Sequence, residues 1–169
     1  MKEKISTTNS SVGPEMKMEN PKEIIPGVLE LNGFLEKKLE SLKAAMTYLN
    51  KEDLPIEKIK KYSSSISEYG YSASLECHNF LLKLNYDSKN DKDESDINVY
   101  ILDRIHTLKG EFGSIGNFGD LLGEDELNIS DAQIGLVGIN MAINRAGPLI
   151  KRIIDVEKSG NVKEIFDVD

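Results

Sequence analysis

The chemistry most plainly written in this sequence belongs to two residues one helical turn apart, His106 and Lys109. An imidazole is mostly neutral near pH 7, so it is a competent nucleophile and also a good leaving group. A lysine three residues on brings an ammonium within reach of any anion attached to that ring. Together they suit the uptake and release of a phosphoryl group, a reaction that asks the protein mainly for positioning and electrostatics. The surroundings fit. Gly110 and Gly113 occupy the i+4 and i+7 positions, and each glycine in a helix costs about 1 kcal/mol against alanine. Surface emptied of side chains at that expense leaves room for another protein to close over the imidazole.

These residues need a helix to hold them outward. At about 100° per residue, with Ile105 at zero, the stripe of Ile101, Ile105, Leu108, Phe112 and Ile115 centres near −40°. His106, Lys109, Gly110 and Gly113 then fall at about 100°, 40°, 140° and 80° on the same wheel. The stripe buries one face and turns the histidine toward the flank, with Leu108 in the core.

Three further segments share this periodicity. The first runs from about Val28 to Asn50, after the Pro26–Gly27 breaker, with Leu35, Leu39, Leu42, Met46 and Leu49 in 4-3-4-3 spacing. After a turn at Lys51–Pro55, where Asp53 is available as a cap, the second runs to about Tyr86 through Ile59, Tyr62, Ile66, Tyr69, Ala73, Cys77, Phe80 and Leu84, with Gly70 as a candidate bend. The segment Asp87–Asp96 has no apolar residue and reads as a solvated loop. The third segment spans about Ile97–Leu122. The fourth starts after Gly123–Asn128, with Ser130 and Gln133 in capping-box spacing, and continues to about Glu157; Pro148 should kink or split it near Gly147. With no β-alternation and no internal repeat, the expected fold is all-α, an antiparallel up-down four-helix bundle with His106 on the third long helix. The bundle should occupy 21–159, between a disordered N-terminal tail, 1–20, and a short C-terminal tail, 160–169.

At His106 these residues carry a family resemblance. The run His106-Thr107-Leu108-Lys109-Gly110-Glu111-Phe112-Gly113-Ser114-Ile115-Gly116 resembles the signature of histidine phosphotransfer domains, H-x-[LI]-K-G-x-x-x-x-x-G. The resemblance covers about eleven residues. It implies that His106 is the phosphoacceptor and Lys109 stabilises the phosphoryl group. It also implies that Gly110 and Gly113, with Thr107 and Glu111 beside them, meet a docking partner, and that Gly116 permits close helix packing. The implied partners are a receiver domain of a response regulator and a histidine kinase. Two departures stand out. Glu111 replaces a usually small residue, and Phe112 is larger than usual. No acidic hydrogen-bond partner for the imidazole carries over; Glu124, Asp125 and Glu126 are the candidates.

Composition narrows the field further. The 169 residues hold 29 acids against 21 bases, a formal charge of −8, which argues against nucleic acid and anionic lipid as partners. No apolar run is long enough to span a bilayer and no secretory h-region stands at the N-terminus, so a cytoplasmic protein is expected. No phosphate-binding G-x-x-x-x-G-K-[ST] loop occurs, so the chain needs no cofactor of its own; ATP or Mg2+ belongs to the partner. No metal-ligand spacing occurs either. His78, the only other histidine, lies in an E-C-H-N run, and Cys77 beside it reads as a buried structural thiol. The dimerisation helices of sensor kinases also bear phosphorylated histidines, but an acid usually follows the histidine and a proline stands nearby; Thr107 and the lack of proline count against them. The rival from another class is a helical adaptor whose histidine is never phosphorylated.

Overall fold

Leucine, isoleucine and alanine recurring at steps of three and four give each segment one apolar edge, and each folds as an α-helix whose edge turns inward. The computed structural model describes residues 25–86 and 97–159. They form α1 (Val28–Leu49), α2 (Ile56–Lys83), α3 (Ile97–Leu122) and α4 (Ile129–Ser159), with no strand among the described residues. The expected tails and the Asp87–Asp96 loop lie outside the described residues, as does the stretch 21–24 at the start of the expected bundle.

The four helices pack as a bundle in which α3 lies between α2 and α4, and α1 closes the circle against the same two. Ile101, Ile105, Leu108, Phe112, Ile115 and Leu122 of α3 are fully buried, beside Leu35 and Leu42 of α1, Ile66 of α2 and Ile139 and Ile153 of α4. Burying each such side chain contributes about 1.5–3 kcal/mol. Contacts between neighbours run in opposite senses. Ser67 meets Gly119, Gly70 meets Gly116 and Ser74 meets Gly113, so numbers rise along α2 as they fall along α3. Gly135 with Leu122, Gly138 with Phe118 and Arg145 with Glu111 do the same for α4 against α3.

Local signals were only partly those expected. α2 begins behind Pro55, which supplies the extended N-cap (φ −60°, ψ 140°), while Asp53 adopts a left-handed turn (φ 57°) and caps nothing. α2 continues through Gly70, which is buried against α3 instead of marking a break. Near its end Leu81 is buried, whereas Leu84 lies beyond the helix and is exposed. α4 starts two residues earlier than the Ser130–Gln133 spacing implied, at Ile129. The Asn128 side chain accepts the Asp131 backbone N–H at 2.9 Å and donates to the Asp131 carboxylate at 2.6 Å. Pro148 does not split α4, which runs on to Ser159. Both Pro148 and Asn144, whose carbonyl the missing N–H would have reached, face solvent.

Candidate functional site

The site is built on α3, whose rotation is fixed by its buried stripe. Ile105 and Leu108 are both buried, and contacts with Tyr86 and Ser74 set His106 and Lys109 toward α2. His106 and Lys109 are half-buried. The ring of Tyr86, just past the end of α2, stands 6.2 Å from the imidazole centroid and is tilted by 54°. Lys109 is tied to α2 through its backbone, since the Ser74 hydroxyl donates to the Lys109 carbonyl at 2.9 Å. Its charge also bears on Cys77 across the seam. Burial, helped by the charge of Glu76, pushes the Cys77 thiol up to about 12, and the Lys109 charge works in the opposite direction. The thiol is free and buried, as expected. Thr107 is exposed, its hydroxyl donating to the Asp103 carbonyl at 3.1 Å.

The glycines of α3 separate into two kinds. A β-carbon at Gly110 would meet nothing within 4 Å, and one at Gly113 would meet only the Ser74 hydroxyl at 3.5 Å. Neither glycine is required by packing. Gly116 and Gly119 are. A β-carbon at Gly116 would lie 2.6 Å from the Tyr71 ring, and one at Gly119 would lie 2.6 Å from the Ser67 hydroxyl. On the facing helix, a β-carbon at Gly70 would run into the backbone of Gly116. Around this close crossing Asp120 accepts hydrogen bonds from Ser67 (2.7 Å) and Tyr71 (2.5 Å). Those bonds hold the Asp120 carboxyl below its ordinary range, and the same carboxylate raises the Tyr71 phenol.

The structure brings His106, Lys109, Gly110 and Gly113 onto one continuous face, and it sets Glu111 apart. That carboxylate turns to α4, where it accepts the Arg145 Nε–H at 2.9 Å, and only 15 % of its side chain is exposed. Glu124, Asp125 and Glu126 cannot serve the imidazole. They lie beyond the end of α3, which runs on from His106 to Leu122 for roughly 24 Å at about 1.5 Å per residue, and Glu124 and Asp125 border a cleft with Ser63, Ser64 and Ser67.

Sequence reasoning did not single out two exposed leucines of α2. Leu75 and Leu82 are 56 % and 60 % exposed, one helical repeat apart with exposed His78 between them. Both stand on the outward surface of α2, turned from its core stripe of Ala73, Cys77 and Leu81. Their seven-residue spacing was a visible signal, hidden by the parallel stripe of Ala73, Cys77 and Leu81 that forms the core. Among the described residues no cluster of histidine, cysteine and carboxylates could hold a metal ion, and no helix is long and apolar enough to cross a membrane.

Comparison with protein-family models, with curated proteins and with solved structures gives no match for this chain.

Proposed function

We propose that this chain is a histidine phosphotransfer carrier, working on an antiparallel up-down bundle, in a cytoplasmic phosphorelay. The opposed running of the interhelical contacts supports that bundle. His106 takes a phosphoryl group from a receiver aspartate or from a histidine kinase and passes it to another receiver aspartate. In the forward step an imidazole nitrogen attacks phosphorus. A P–N bond forms. With a receiver as donor, the acyl-phosphate P–O bond breaks and the aspartate leaves as a carboxylate. With a kinase and ATP, the bond from the γ-phosphorus to the bridging oxygen breaks and ADP leaves. Transfer to the next receiver breaks the P–N bond and forms the acyl phosphate. Lys109 offsets the charge of the phosphoryl oxygens, while Mg2+ or ATP is supplied by the partner.

The observation that carries this reading is the open position at Gly110, one turn from a half-buried imidazole on a helix otherwise fixed by its core. A bundle with no visitor to admit would gain stability from alanine there. Glu111, held by Arg145, stays clear of the footprint.

The test is to incubate the protein with phosphorylated receiver domains, or with donor kinases and ATP, and to follow acid-labile, base-stable label. Wild type is expected to take label and His106→Gln none. Failure to label from any donor, or equal labelling of His106→Gln, would leave the adaptor reading in its place. Lys109→Ala should stay helical and slow transfer about ten- to hundredfold, the equivalent of one charge-assisted hydrogen bond of ~1.5–3 kcal/mol.

A further inference from the structure

The chain leaves α2 through a reversed turn that brings one aromatic ring to His106. Asn85 adopts the left-handed region (φ 50°), which asparagine tolerates better than most residues with a side chain. Around it three backbone N–H groups turn back onto the helix. Leu84 donates to the Leu81 carbonyl at 3.2 Å, Asn85 to the Leu82 carbonyl at 3.1 Å and Tyr86 to the Leu81 carbonyl at 3.1 Å. The last two are the paired bonds of a Schellman cap, which reverses the chain and fixes the residue that follows the left-handed one. That residue is Tyr86, and it is half-buried.

Because α2 and α3 run in opposite senses, with Ser74 beside Lys109 and Gly113, a residue beyond the end of α2 meets α3 earlier in its course. Tyr86 meets His106. The ring centroids are 6.2 Å apart and the planes inclined at 54°, the geometry of a tilted aromatic pair. One turn further along α3, Gly110 bears no side chain, and a β-carbon there would touch nothing within 4 Å. The imidazole therefore has an aromatic neighbour on α2 and empty space at the next turn of its own helix. Without such a neighbour, a histidine on a helix surface exchanges among staggered rotamers.

We infer that Tyr86 is a positioning residue: its ring holds the His106 imidazole in one rotamer, and the cap at Asn85 holds Tyr86. The consequence for transfer rests on the proposed relay function. Phosphoryl transfer requires the attacking nitrogen, the phosphorus and the leaving oxygen to lie roughly in line. An imidazole kept in one orientation meets that condition more often than one that turns freely. Tyr86 acts through the imidazole, so its loss should slow transfer within the docked complex and leave docking itself unchanged. The aromatic ring does this work, so phenylalanine should serve in its place.

NMR spectra of the full chain should show cross-peaks between the His106 and Tyr86 ring protons, and His106 side-chain couplings of a single rotamer. Tyr86→Leu should average those couplings, whereas Tyr86→Phe should keep them. Asn85→Val, a β-branched residue at a left-handed position, should behave like Tyr86→Leu, and Asn85→Gly like wild type. In transfer from a labelled receiver domain, Tyr86→Leu should lower the rate at saturating receiver about three- to tenfold, the worth of one aromatic pair. The half-saturating receiver concentration should not move, and Tyr86→Phe should restore the rate. The inference is overturned if wild type shows no such cross-peaks, if Tyr86→Leu leaves the couplings unaltered, or if Tyr86→Phe fails as Tyr86→Leu does. A loss confined to the half-saturating concentration would overturn it too, by making Tyr86 a docking residue. If His106 takes no label from any donor, the relay function fails, and the cross-peaks and couplings alone decide whether Tyr86 holds the ring.

Discussion

A methyl group added at Gly110 would meet no atom within 4 Å, so alanine there changes only the freedom of the backbone. Gly110→Ala should stabilise the free protein by up to about 1 kcal/mol in urea denaturation. Phosphotransfer should nevertheless slow, because the new side chain stands where a docked partner must close. Unchanged transfer would remove Gly110 from the docking face. The other glycines should behave oppositely and in order. Gly116→Ala meets the ring of Tyr71, an exposed side chain that can move at the expense of its bond to Asp120, and should cost about 1–3 kcal/mol. Gly70→Ala meets backbone, which cannot step aside, and should cost more. Denaturation midpoints falling in the order Gly110→Ala, wild type, Gly116→Ala, Gly70→Ala would confirm the division of the glycines; any other order would contradict it.

At the scale of the helix, the last turn of α4 holds a buried acid. Glu157 is 8 % exposed, its Oε2 has no partner among the described residues, and burial raises its carboxyl above the ordinary glutamate value near 4.5. A carboxyl raised in the folded state favours folding only while protonated. Its contribution is therefore complete below the ordinary glutamate value and is lost as pH climbs through the raised folded one. Glu157→Gln should melt higher than wild type at pH 7.5, and the gap should close at pH 4. A gap independent of pH would mean that the acid does not titrate with folding. The Cys77 thiol makes a second element-scale prediction: raised to about 12 and fully buried, it should react with a thiol reagent only after α2 unfolds.

Much of this level was legible in the sequence because the 3.6-residue period of the core is a local property. The bounds expected for α3, Ile97 to Leu122, are those observed. Capping was less legible, since Asn128, Ser130, Asp53 and Pro55 all have suitable chemistry and only the packed geometry selects among them. Gly70 looked like a local bend because nothing in its neighbourhood announces Gly116, which is 46 residues away. For the same reason Glu111 looked like part of the docking face. Its partner Arg145 lies on another helix, 34 residues on.

At the scale of the whole molecule, the protein is an acidic helical bundle with two exposed edges. The α2–α3 edge presents an imidazole, a lysine and open glycines, and the α4 edge presents the exposed side chains of Ile134, Val137 and Met141. The first edge carries the central claim, that a phosphoryl group travels through His106. The most direct measurement uses a receiver domain labelled on its aspartate. Label leaving that aspartate should appear on this protein, withstand alkali, be lost in acid and map to His106. Label that stays on the receiver, is released only as free phosphate, or maps to any other residue would contradict the account.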